Sequence, residues 1–299
     1  MRSAIAFVLT GTALGLAAGL SAQAQDAVVQ ATVAPDINMS QLLLAAQGGD
    51  AGAQTTLGDI YRHGRGDIAP DMSVAEYWYH KAADQGVARA QYAVGEINDA
   101  GTAGPVNEAA ALEWFQKAAA QGLADAQYNL AIMYDQGQGT AQDYGLAAHY
   151  YALAAEQGCV DAQFNLAMLY DQGLGVTKSD SDAVYWLSRA ADKGLASAQY
   201  NLAIRYLNGA GVAQDDKAAF AWLRLAAQQG DPDAQYNLAR LYGAGRGVER
   251  DPSMAYAWSY LAATHAQADA SDYLTTLKTQ TTPTQRAAAI DLSDNLAKR

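Results

Sequence analysis

Residues 126–139 read AQYNLAIMYDQGQG, and the rest of the chain is written around copies of that stretch. Its opening pair, Ala126-Gln127, returns as Ala162-Gln163, Ala198-Gln199 and Ala234-Gln235, each 36 residues after the last. Ala90-Gln91 stands 36 residues before it, and Ala53-Gln54 a further 37 before that. A fixed period of this size marks an array of stacked supersecondary units. Alanine is abundant and only 6 prolines occur among 299 residues, so the units are expected to be helical.

Each unit reads as two helices. Helix A runs from the Ala-Gln pair to a glycine turn, and Ala126, Leu130 and Tyr134 recur every four residues on one face. The turn carries paired glycines, Gly137/Gly139 in the third unit and Gly173/Gly175 in the fourth, suited to ending a helix and reversing the chain. The second unit departs, with Gly101 and a displaced Gly104. Helix B opens at a column of short polar residues: Asp71, Asn107, Asp143, Ser179, Asp215 and Asp251. Each offers a side-chain oxygen to the free N–H groups of a first helical turn. Helix B then shows Ala75-Trp78-Ala82 at i, i+3 and i+7, with the same triplet at Trp114, Trp186, Trp222 and Trp258, and Tyr150 in the third unit. One large ring is expected to pack into a slot kept open by small residues.

Residues 1–24 read as a signal peptide. Arg2 supplies the positive start, Ala4 to Leu20 is an uncharged apolar run, and Ala22-Gln23-Ala24 is a small-x-small cleavage site. No Cys follows that run, so no lipid anchor is expected there, and no later stretch is long enough to span a membrane. In a bacterium the product is expected to be periplasmic or secreted. Residues 25–39 read as a flexible lead-in. Residues 40–52 match the second half of a unit and read as an N-terminal half-repeat cap, with Ser40 as helix cap and Gly48-Gly49 as stop. Residues 53–269 hold six units. Helix B ends at Gly86, Gly122, Gly158, Gly194 and Gly230, but Ala266 takes that place in the sixth unit, where the array is expected to stop. Residues 270–299 leave the pattern and read as two capping helices broken at Pro283.

The unit AQYNLAIMYDQGQGTAQDYGLAAHYYALAAEQG, residues 126–158, resembles the Sel1-like repeat, a relative of the tetratricopeptide repeat. The resemblance implies an all-α fold: a right-handed α-solenoid of helix-turn-helix repeats whose A helices line a concave groove. It also implies an adaptor, scaffold or regulator. The cysteine-rich secreted branch of the family ties each helix pair with a disulfide. This chain has a single cysteine, Cys159, so it lies outside that branch. Cys159 shares a column with Val87, Leu123, Leu195 and Asp231 and reads as a small buried hydrophobe or, alternatively, a free thiol.

Composition and motifs exclude several functions. The chain holds 19 basic and 31 acidic residues, a formal charge of −12, which opposes nucleic acid and anionic lipid as partners. No H-E-x-x-H, G-x-S-x-G, S-x-x-K or phosphate-loop lysine occurs, so no enzyme is expected and no cofactor, metal or catalytic residue is assigned. Asp135 and Asp171 occupy equivalent places, and stacked acids of that kind are able to hold a cation, but nothing else in the sequence supports one. His63, Arg62 and Arg65 form a small basic cluster, read either as a contact for an acidic partner or as a solvated turn.

With the Ala of helix A as position one, positions one, five and nine face the core and three, four, seven, ten and eleven face away. The candidate partner-binding residues follow: Tyr128, Asn129, Phe164, Asn165, Met168, Tyr200, Asn201, Tyr236, Asn237 and Arg240. An asparagine column can pair with the backbone of an extended peptide whatever its side chains, and an aromatic column beside it adds contact area. The other reading, in which the Tyr and Asn columns only pack between neighbouring A helices, stays open. Position seven runs Asp59, Glu96, Ile132, Met168, Ile204, Arg240, so the groove is expected to be acidic, then apolar, then basic. The expected function is a protein–protein interaction scaffold or regulator of the bacterial cell envelope, with a protein partner of envelope or membrane. The alternative is a glycan-binding or exopolysaccharide accessory protein whose aromatic column stacks on sugars.

Overall fold

The structure is a computed structural model that describes residues 38–265 and 267–296. The signal peptide, the lead-in up to residue 37, and Ala266 lie outside the described residues. The described residues form 15 helices and no strand beyond an isolated bridge between Arg65 and Ile68. Helix α1 (Met39–Gln47) comes first. The A helices of the six units are α2 (Ala51–His63), α4 (Ala88–Ala100), α6 (Ala124–Gln136), α8 (Val160–Gln172), α10 (Ala196–Asn208) and α12 (Pro232–Ala244). The B helices are α3 (Met72–Ala83), α5 (Glu108–Ala120), α7 (Tyr144–Glu156), α9 (Asp180–Asp192), α11 (Asp216–Gln228) and α13 (Pro252–Thr264). Two more follow, α14 (Ala268–Lys278) and α15 (Pro283–Leu296). Up to α14 each helix packs on the next in sequence, as in a repeat array, and α15 packs back on α13.

Local chemistry sets the helix ends. Asp71, Asn107, Asp143, Ser179, Asp215 and Asp251 all accept a backbone N–H from the first turn of helix B. At α1 the cap is Asn38, whose Oδ1 accepts from the N–H groups of Ser40 and Gln41, so Ser40 is not the cap but the second residue of the helix. Pro283 opens α15 rather than breaking a helix, since a first-turn N–H has no acceptor within the helix and its loss costs little. Helix α14 also keeps the phase of the repeat. Ala270 stands 36 residues after Ala234 and is fully buried, and Gln267 caps α14 where Asp231 caps α12.

The second glycine of the turn is a packing device. A Cβ on Gly139 would lie 2.6 Å from the Glu108 carbonyl oxygen, and a Cβ on Gly175, Gly211 or Gly247 would overlap the carbonyls of Tyr144, Asp180 and Asp216. Each turn thus rests directly on the start of the preceding helix B. Gly66, in the first unit, has no such neighbour within 4 Å.

The core is more finely divided than helical periodicity suggests. Trp78, Trp186 and Trp258 are buried, but the deepest helix-B place belongs to the following residue: Tyr79, Phe115, Tyr151, Leu187 and Leu223 are each at most 1% exposed. Position six of helix A makes room for it. Gly58 and Gly95 lie under the rings of Tyr79 and Phe115, where a Cβ would fall 2.5 and 2.6 Å from ring carbons. Positions two, six and eight of helix A are buried along with one and five. A helix wedged between two B helices buries a wider arc than a single stripe.

Candidate functional site

The position-two glutamines that mark the period are buried. Gln54, Gln91, Gln127, Gln163, Gln199 and Gln235 each send Nε2 to the carbonyl eight residues earlier, at the end of the preceding B-type helix. Their Oε1 atoms accept from Gln85, Gln121, Gln157 and Gln229 at 2.7–2.9 Å, and Gln235 meets His265 Nδ1 at 3.1 Å. The ladder breaks once. Lys193 stands where a glutamine is due, and Gln163 Oε1 is buried without a hydrogen-bond partner.

Outside this seam, the candidate residues lie on the A helices. Tyr128, Asn129, Phe164, Asn165, Met168, Tyr200, Asn201, Tyr236 and Asn237 are half-buried and Arg240 is exposed. The Tyr and Asn columns mesh between units. Asn129 Nδ2 donates to the Tyr92 hydroxyl at 3.4 Å. Asn165 faces the hydroxyls of Tyr128 and Tyr151, and Asn237 faces that of Tyr200. Burial, and then nearby carboxylates, hold the hydroxyls of Tyr92, Tyr128 and Tyr200 above their ordinary pKa: Glu96 and Asp125 act on Tyr92, Asp161 on Tyr128, and Asp233 on Tyr200. The rings also lean on aromatic neighbours, Tyr92 on Phe115 at 5.7 Å, Tyr128 on Tyr151 at 5.9 Å and Tyr236 on Tyr273 at 6.2 Å.

The junction of units four and five departs from this. Phe164 carries no hydroxyl, so Asn201 has no tyrosine to meet, and its Nδ2 donates to the Ser197 carbonyl of its own helix at 2.8 Å, as Asn237 Nδ2 does to the Asp233 carbonyl at 2.9 Å. Position eight, an apolar buried residue in the other units, is Arg205. Its guanidinium bridges Asp171 and Asp180, with Nη1 2.8 Å from Asp180 Oδ1. Asp171 therefore holds an arginine, and no group of three His, Cys, Asp or Glu suited to a metal occurs among the described residues.

The charge gradient read along position seven is largely neutralised. Asp59 pairs with Arg89 at 2.9 Å and accepts from Tyr79 at 2.7 Å, while Glu96 pairs with Arg62 at 2.8 Å. Arg62 is thus engaged within the array rather than offered as part of a basic cluster with His63. Arg240 lies over the Tyr236 ring at 5.8 Å. Among the described residues no ion pair reaches Asp99, Asp125, Asp135 or Asp161, whose carboxyls burial holds above the usual range. Cys159 is half-buried, and burial raises its thiol pKa, so it behaves as a small hydrophobe and stays protonated.

Six consecutive segments, residues 51–87, 88–123, 124–159, 160–195, 196–231 and 232–266, match the Sel1 repeat. The chain belongs to the Sel1 repeat family. Sel1 repeats serve generally as protein–protein interaction modules, and their fold is typically a non-catalytic scaffold. The structure is similar to that of c5321, a protective antigen present in uropathogenic Escherichia coli strains displaying an SLR fold, at 35% identity and a TM-score of 0.75. The match covers 86% of this chain and 55% of that one, so this chain corresponds to about half of c5321. It is also similar to a Sel1 repeat protein from Oxalobacter formigenes, at 36% identity and a TM-score of 0.67, covering 86% of this chain and 75% of that one. No curated protein matches the chain. No described helix is long and apolar enough to cross a membrane.

Proposed function

We propose that this Sel1 repeat chain is a scaffold or regulator of the bacterial cell envelope that holds a segment of a partner protein on the face formed by its A helices. The observation that supports this most is the half-buried face at the junction of units four and five. There Phe164, Met168 and Ile204 give apolar area, and the Asn201 amide makes no bond to the preceding unit. The signal-like residues 1–24 support export to the periplasm or beyond. The sugar-binding alternative relied on open aromatic faces. Tyr92, Tyr128 and Tyr236 already pack against other rings, which weighs against it.

The test is cross-linked capture from envelope extract with the chain as bait, read by mass spectrometry, beside a Met168→Ala/Asn201→Ala variant. One envelope protein enriched on the wild-type bait, with about tenfold weaker binding to the folded variant, is the expected result. Equal binding by the folded variant would remove this face from consideration.

A further inference from the structure

We propose that the A-helix face of units two to five takes a basic segment of the partner: lysine or arginine side chains set against Asp125 and Asp161, followed by an apolar side chain on Phe164, Met168 and Ile204. This rests on the reading of that face as the partner-binding surface and names the chemistry of its occupant.

The charges left on this face by the described residues decide the chemistry of its occupant. The arginines on the A helices of units one, two, five and six are engaged: Arg62 with Glu96, Arg89 with Asp59, Arg205 with Asp171 and Asp180, and Arg240 over the Tyr236 ring. In units two to four Glu96, Asp171 and Asp180 are used in those pairs, but no ion pair among the described residues reaches Asp99, Asp125, Asp135 or Asp161. The charge left over is therefore negative. An anionic ligand would be repelled, and a neutral one would leave those carboxylates partly desolvated without compensation.

Placement adds a second reason. Asp125 acts electrostatically on Tyr92 and Asp161 on Tyr128, so each carboxylate sits beside a tyrosine of the preceding unit. A cation bound there meets the carboxylate beside the tyrosine hydroxyl of the preceding unit, a charge-assisted setting suited to lysine and arginine. One junction further on, the carboxylate is replaced by Ser197 and the tyrosine by Phe164, and position seven is Met168 and then Ile204. The face turns from acidic to apolar within two units, which sets the order of residues in the segment it fits. A divalent cation is a poor occupant, because no three ligands converge.

The experiment is selection of a random dodecapeptide display library on the immobilised chain at physiological salt, followed by titration of the best synthetic peptide. Enriched peptides are expected to be net positive with an aliphatic or aromatic residue. Their affinity is expected to fall about tenfold for a folded Asp125→Asn/Asp161→Asn variant. Enrichment of neutral or acidic peptides, no enrichment at all, or equal affinity for the variant would each overturn the inference. Neutral or acidic peptides lost on the Met168→Ala/Asn201→Ala variant would overturn it while leaving the binding face standing. Peptides indifferent to both variants would count against the binding face as well.

Discussion

Gln157 Nε2 donates to Gln127 Oε1 at 2.7 Å within one unit, tying the end of helix B to helix A of its own repeat and, through the Ala119 carbonyl that Gln127 Nε2 meets, to the repeat before. Lys193 interrupts that seam and leaves Gln163 Oε1 buried and unpartnered. Leaving a buried amide oxygen unsatisfied costs more than an ordinary hydrogen bond contributes. Lys193→Gln is therefore expected to raise stability by about 1 kcal/mol, read as a higher thermal midpoint by circular dichroism. Gln157→Lys, which copies the break one unit earlier, is expected to lower it.

The second turn glycine gives a paired comparison. A Cβ at Gly175 would overlap the Tyr144 carbonyl, whereas at Gly66 it would meet nothing within 4 Å. Both glycines have positive φ, 67° and 57°, so both alanine variants carry the left-handed backbone strain. Gly66→Ala is expected to cost about 1–2 kcal/mol, and Gly175→Ala about 3 kcal/mol or more, because the repeats must also part. Equal losses would show that backbone strain alone decides these positions.

Arg205 replaces an apolar residue in a buried column, with its side chain 13% exposed between Asp171 and Asp180. Desolvating a guanidinium offsets much of what such pairs contribute. Arg205→Leu is expected to leave stability within about 1 kcal/mol of wild type or raise it. Arg205→Ala is expected to lose about 1–3 kcal/mol through lost packing as well as lost pairing. Urea denaturation of both variants separates these outcomes.

Asp161, and to a smaller extent the more exposed Asp125, is expected to oppose folding at neutral pH. Burial, joined at Asp125 by the charge of Glu96, raises both carboxyl pKa values above the ordinary 3.8. The folded state therefore binds more protons than the unfolded state between that value and the raised one, and stability falls as pH rises through the window. Asp125→Asn/Asp161→Asn is expected to be more stable than wild type near pH 7. The difference should close as pH falls toward 3.8, which thermal melts across pH can follow.

Much of the fold was legible because it is local and repeated. Six capping residues and the 36-residue spacing stand in the sequence as plain columns, and each cap forms as read. What escaped depends on partners some 30 residues away. The role of Gln127 needs Gln157 and Ala119, and the ion pair of Glu96 needs Arg62. One signal was available and missed: Arg205 interrupts the series Ile60, Ile97, Met133, Leu169, Leu241. Another was the phase of Ala270, which keeps α14 in step with the A helices although its surroundings lack the Ala-Gln pair. The Tyr and Asn columns were read either as ligand groove or as packing. Three Tyr–Asn contacts between units favour packing for most of the column and leave the Phe164–Asn201 step as the exception.

The most direct measurement is hydrogen exchange of the chain with and without its captured partner. Slower exchange confined to 124–136, 160–172 and 196–208, the A helices of units three to five, is the expected result. Protection confined instead to the B helices, around the exposed Tyr77, Tyr185 and Leu225, would contradict the A-helix face as the binding surface.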